Sequence, residues 1–175
     1  MRYFIISILS LFFIFEANAQ QVKNKVGWYT FEEAVELATV NPKKIFIDIY
    51  TDWCGFCKRM DSETFSNADV AMYLNENFYP VKFNSETKDT IYFQGHMFVN
   101  EGEGRRSAHQ LSIALLQGKM SYPSIVYLNE DLELLTAVPG FMTPSGIEPI
   151  LRYFAEDHFL RKSWEDFHKD FKGTF

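Results

Sequence analysis

The feature that most constrains this chain is a strand-like run that ends directly in its only two cysteines. In "KKIFIDIY" (43–50) β-branched and aromatic residues gather at strand length, and "TDWCGFCKRM" follows at once. Cys54 and Cys57 are separated by Gly55 and Phe56. "CKRMDSETF" has helical character, so the pair falls at a strand-to-helix junction. Spacing i, i+3 then puts both cysteines on one face, with Cys57 a turn deeper. Such a pair serves as a redox switch, as half of a metal site, or as a structural clip.

Each use makes its own demand. Redox exchange needs a thiolate, and a free thiol of pKa about 8.5 is only slightly ionised at neutral pH. A helix N-terminus changes that, because unpaired N–H groups and the positive end of the dipole favour the anion by about 1 kcal/mol. Cys54 would attack a partner disulfide and Cys57 would resolve the mixed intermediate. Trp53 and Phe56 would shield the pair and offer apolar surface to a partner. A zinc site needs two more ligands, but His96, His109, His158 and His168 lack the three-to-five-residue spacing of a finger. Covalent haem attachment needs His after the second cysteine, where Lys58 stands. A clip closing so short a loop gains little from chain entropy.

Around the junction, helix and strand signals alternate. "TFEEAVELA" opens with a capping box, Thr30 with Glu33. "SNADVAMYLNENF" is a helix capped by Ser66 or Asn67, and "YPVKFN" is a second core strand with Pro80 at its entry. Residues 85–106 are polar and glycine-broken, with a hairpin in "TIYFQGHMFVN" turning near Gly95. "SAHQLSIALLQG" reads as a helix with a Ser107–Gln110 capping box and Gly118 as its C-terminal stop. "YPSIVYLNEDLELLTAVPGF" gives two strands turning at Asn129–Asp131. "SGIEPILRYFAEDHF" is the last strong helix, with Pro149 placed near its first turn. The tail 157–175 adds an amphipathic turn or two, with Trp164, Phe167 and Phe171 on one face. The order gives an α/β fold, a central mixed sheet flanked by helices.

The first 19 residues stand apart. Arg2 supplies a positive start, Tyr3 to Phe15 is apolar but for two serines, and "ANA" ending at Ala19 offers a small-x-small cleavage pattern. The run is short of the roughly 20 residues a spanning helix needs. It reads as a signal peptide, leaving a mature chain of 20–175 that is exported, periplasmic in a bacterium, or held at a membrane by an uncleaved segment. Removing it takes away one base and one acid, so the balance stays at −6, which argues against nucleic acid as a partner. Export also gives the cysteines a compartment where disulfides persist.

At this point the residues converge on a family. "DIYTDWCGFCK" resembles the thioredoxin active-site segment, and the match extends beyond it. Asp48 stands where that family carries a buried carboxylate, and Lys82 stands where it carries the paired lysine. Tyr122–Pro123 matches the loop whose proline is cis, and Gly140 matches the glycine before the last helix. The longer pattern is similar to the carboxy-terminal domain of the thiol–disulfide interchange protein DsbD and to small exported thioredoxin-like proteins of bacteria. The likeness covers about residues 28–156. Phe56 in place of the usual proline, Tyr122, and the 85–106 insertion depart from the pattern.

The resemblance implies a thioredoxin fold and a protein thiol–disulfide oxidoreductase working in the reducing direction. Cys54 would be the nucleophile, Cys57 the resolving thiol, Asp48 the proton shuttle and Lys82 its modulator. Trp53, Gly55, Phe56, Tyr122, Pro123 and Gly140 would meet the substrate. No metal or organic cofactor is called for, because electrons pass through the cysteines. Partners would be client proteins with disulfides or thiols and a membrane or soluble redox protein. A monomer is the expected state. A thioredoxin-like binding or chaperone module with little turnover, or a metal-binding CxxC protein, are the alternatives.

Overall fold

The structure, a computed structural model, describes residues 25–175; the expected signal peptide lies outside them. In chain order the first half holds α1 (Phe31–Val40), β1 (Ile45–Tyr50), α2 (Gly55–Glu63), α3 (Ala68–Asn77) and β2 (Tyr79–Asn84). The insertion follows as β3 (Ile91–Phe93) and β4 (His96–Phe98), then α4 (Gln110–Leu115). The second half is β5 (Ser124–Leu128), β6 (Leu134–Pro139), α5 (Pro144–Ala155), a 3-10 turn (His158–Leu160) and α6 (Trp164–Asp170). Among these described residues, no helix is long and apolar enough to cross a membrane.

Four strands form one mixed sheet in the order β2-β1-β5-β6. β1 runs parallel to β2 and antiparallel to β5, and β6 pairs antiparallel with β5. The two-residue period of β1 divides the core. Ile45, Ile47 and Ile49 pack with Phe31, Ala34 and Ala38 of α1 and with Leu111 and Leu115 of α4. Phe46 lies on the other face with Met60 of α2, Leu74 of α3, and Ile147 and Leu151 of α5. Full burial of a ring such as Phe46 contributes roughly 2–3 kcal/mol, so both layers hold β1 firmly. Asp48 shares the Phe46 face, which is how a carboxylate reaches the core.

Local signals explain most boundaries. The Thr30–Glu33 capping box is present in full, and Asn67 caps α3 through two backbone N–H groups. β3 and β4 form a hairpin turned at Gln94–Gly95, both with positive φ, the condition a tight two-residue turn imposes. Gly118 stops α4 at φ 76°. The tail packs as expected, with Phe167 buried and Trp164 and Phe171 against the same core.

Two helix expectations are corrected. The cap of α4 is His109, whose Nδ1 accepts the Leu111 N–H, because Ser107 and Gln110 are engaged elsewhere. Ser107 Oγ bonds the Gly102 and Gly104 carbonyls, and Gln110 Oε1 accepts from Val99 N–H. α5 begins at Pro144 behind a Thr143 cap, which leaves Pro149 in the helix interior rather than its first turn. A missing N–H there forfeits one helical hydrogen bond, offset by the burial of Ile147, Leu151 and Phe154 around it.

Candidate active site

β1 delivers the chain to the cysteines. After Tyr50 the backbone turns through Thr51, whose carbonyl accepts the Cys54 N–H at 3.1 Å. Cys54 is the N-cap of α2, and its Sγ accepts the Cys57 N–H at 3.0 Å. Cys54 and Cys57 are joined in a disulfide. Cys54 is 5% exposed and Cys57 1%, so Cys54 is the more accessible residue of the two. On reduction, Cys54 would hold its charge at the N-terminus of α2, facing an N–H that has no helical partner. Gly55 opens α2 with nothing but space where a side chain would be.

Apolar surface surrounds the pair. Trp53 and Phe56 are about half exposed. Trp53 meets Tyr122 edge to face at 6.1 Å, and Phe56 lies 6.3 Å from Phe141. The Tyr122–Pro123 peptide is cis, and the Pro123 carbonyl accepts the Gly140 N–H at 2.8 Å. Gly140 has φ 101°, a conformation that disfavours a side chain. The Tyr122 hydroxyl is tied to Ser85 Oγ at 2.7 Å. Of the residues named from the sequence for substrate contact, Trp53 meets Tyr122 and the Pro123 and Gly140 backbones are joined, while Phe56 meets Phe141 and Gly55 faces open space.

Beneath α2 lies the buried charge. Asp48 faces Lys82 across the parallel β1–β2 pair, and Lys82 Nζ donates to Asp48 Oδ2 at 2.5 Å. Asp48 Oδ1 is buried without a partner. Burial pushes the Asp48 carboxyl up to about 6, against the pull of Lys82 and with a smaller push from Asp61. Burial draws the Lys82 ammonium down, but Asp48 and Asp61 more than offset it and hold it above its ordinary value. The Lys82 head lies within 5.3 Å of the ring centroids of Trp28, Tyr50 and Phe65. Cys57 and Met60 are the buried residues of α2, so Cys57 faces the same layer as Asp48.

Four partners were not singled out from the sequence. Asp61 binds Lys82 from α2, and its i+4 spacing from Cys57 could have flagged it. Ser85 fixes Tyr122, and Glu86 Oε1 accepts the Trp53 indole N–H at 2.8 Å. The Arg106 guanidinium lies 4.7 Å over the Trp53 ring. Nothing in local spacing announces these three, because the insertion brings them there. Among the described residues, no group of three or more His, Cys, Asp or Glu side chains is clustered as a metal site would require.

Known proteins resemble this chain in sequence and in fold. Residues 17–156 match the family model Thioredox_DsbH, described as a protein of unknown function, DUF255. The chain is 32% identical over 89 residues to spermatogenesis-associated protein 20 of Rattus norvegicus, covering 49% of this chain and 11% of that one. It is 27% identical over 112 residues to the thiol:disulfide interchange protein DsbD of Yersinia enterocolitica, covering 63% of this chain and 16% of that one. The matched segment is thus a small part of each relative's length. Among solved structures, a thioredoxin from Thermus thermophilus superposes with a TM-score of 0.54 at 17% identity, covering 73% of this chain and 85% of its own. A thioredoxin-fold protein from Helicobacter pylori gives 0.52 at 18%, covering 74% and 80%. The fold is that of thioredoxin, and, with the family match running through most of its length, the chain belongs to the Thioredox_DsbH family.

Proposed function

We propose that this chain is an exported protein thiol–disulfide oxidoreductase acting in the reducing direction. The observation that carries the reading is the cysteine pair at the N-terminus of α2, with Cys54 as its cap and the more accessible residue of the two. The exposed aromatic surface beside the pair supports it, since half-exposed Trp53 and Phe56 and the neighbouring Tyr122 offer apolar area to a client segment. Export rests on Arg2, the apolar run 3–15 and the "ANA" cleavage pattern.

In the reduced protein the Cys54 thiolate attacks one sulfur of a client disulfide. A Cys54–client disulfide forms, and the client's other sulfur leaves as a thiolate that takes up a proton. Cys57 then loses its proton and attacks Cys54 Sγ, forming the Cys54–Cys57 bond and releasing the second client thiol. Two electrons pass to the client, and a partner dithiol protein restores the pair. Asp48 accepts the Cys57 proton, which a carboxyl near 6 does at neutral pH without holding it irreversibly. Lys82 steadies the ionised Asp48, while Trp53, Phe56 and Tyr122 form the surface on which the client segment lies.

Reduction of insulin disulfides by the mature chain with a dithiol reductant tests the activity. Turnover that disappears in Cys54→Ser is expected; no turnover, with client binding retained in that variant, would favour a binding module instead. Equilibration of the pair against glutathione tests the direction. A potential well below that of the glutathione couple is expected, and one well above it would make the protein an oxidant.

A further inference from the structure

Resting on the oxidoreductase reading, we propose that the 85–107 segment is a client-selecting element whose Arg105 and Arg106 bind a carboxylate beside the client cysteine. The partner is a protein segment with an acidic residue next to its disulfide. The segment is tightly built. Asn100 Nδ2, with two N–H groups, lies among the carbonyls of Glu86 at 3.2 Å, Thr87 at 3.1 Å and Ser107 at 2.7 Å. The Lys88 ammonium reaches the Asn100 carbonyl and Oδ1, the Gly102 carbonyl and Ser107 Oγ. A Cβ at Gly102 would fall 2.3 Å from Ser107 Cβ, so the loop closes tightly on itself there. This hydrogen-bonded loop holds Glu86 at the edge of the Trp53 indole and Arg106 over its face.

Between them runs an open groove lined by Asp52, Trp53, Glu86, Arg105, Arg106 and Ser107, one residue from Cys54. Its two carboxylates are already engaged, Glu86 by the Trp53 N–H and Asp52 by Asn84 Nδ2. Glu101 and Glu103 precede the arginines in the loop but do not line the groove. Arg105 and Arg106 are exposed, and among the described residues neither donates a hydrogen bond nor meets a carboxylate. Two guanidinium forks therefore stand without acceptors in a groove shared with Trp53, the residue before Cys54, and a fork of that shape takes a carboxylate in two parallel bonds. Arg106 is preset by stacking on Trp53, which leaves the N–H groups along its edge free. The groove is continuous with exposed Trp53, a surface that suits a peptide rather than a lone small anion.

The test compares three disulfide peptides that differ only in flanking residues, Asp/Glu, Ser or Lys, reduced by the mature chain. At low salt kcat/KM should favour the acidic peptide over the neutral one by roughly three- to ten-fold, and the preference should shrink at high salt. In the Arg105→Glu/Arg106→Glu double variant the order should invert, with circular dichroism confirming the fold. Should that variant fail to fold, the salt dependence of the unaltered chain's preference still decides. Equal rates for all three peptides, or a preference for the basic one, would overturn the proposal and leave the oxidoreductase reading standing. Reduction of none of them would instead remove that parent reading.

Discussion

Asp48 offers one oxygen to Lys82 at 2.5 Å and keeps the other buried without a partner. The carboxylate is therefore half satisfied, which is costly for stability and useful for a group that must take and return a proton.

The first prediction follows from that cost. The folded Asp48 carboxyl sits near 6, above its ordinary 3.8, so the folded chain holds this proton more tightly than the unfolded chain. Its contribution to stability thus falls as pH rises from about 4 to about 6 and stays low above that. Asp48→Asn does not titrate, so its stability relative to the parent should improve by on the order of 2–3 kcal/mol between pH 4 and pH 7. Urea unfolding at the two pH values measures this, and a constant difference would contradict it. Turnover of the same variant should be slowed near neutral pH and lose its inflection near pH 6.

Removing each thiol should give different products. With Cys57→Ser the mixed disulfide has no resolving thiol and should accumulate, visible as a client adduct by mass spectrometry. With Cys54→Ser no adduct should form, and reduction should fall by about three orders of magnitude or more. An adduct through Cys57 in that variant would reverse the assigned roles.

Asp61 acts on Asp48 through the space they share around Lys82. Its charge pushes the Asp48 carboxyl up, and its removal leaves Lys82 to Asp48 alone. In Asp61→Asn the Asp48 midpoint should move down, by up to about one unit for a half-exposed neighbour. Carbon-detected NMR titration of the Asp48 carboxyl reads the shift, and an upward move would refute the arrangement.

Glu148 holds the end of the chain. Its buried carboxylate accepts N–H groups from Thr174 and Phe175, the Thr174 hydroxyl, and Arg152 Nε at 3.0 Å. Burial disfavours its charge, but these donors outweigh that and hold its carboxyl below the ordinary value. The stabilisation is present at neutral pH and is lost as pH falls through the folded value. Glu148→Gln should cost about 1–3 kcal/mol at pH 7, and less in acid. Chemical denaturation checks the cost, and hydrogen exchange at residues 173–175 should show the tail released.

Much of the fold was readable because local and tertiary preferences agree. The β1 run, the Thr30–Glu33 box, the Gly95 turn and the Gly118 stop each satisfy a backbone requirement that needs no distant partner. Local spacing misleads where a side chain finds a better partner away from its own helix. Ser107 and Gln110 had the spacing of a cap, yet the insertion claimed both, and His109 took the place. Pro149 lies inside α5 because packing on the sheet outweighs one lost hydrogen bond.

By itself, the sequence determined a strand-to-helix junction carrying a cysteine pair, an alternating α/β order and a set of candidate site residues, all functions of residue type and spacing. Tertiary structure decided what those residues meet. Parallel pairing of β1 with β2 set Lys82 beside Asp48, and α2 added Asp61 as a second carboxylate. The insertion placed Glu86 and Arg106 around Trp53, from 33 and 53 residues away in sequence. Burial, charge pairing and stacking depend on distances between segments, and no local pattern encodes those distances.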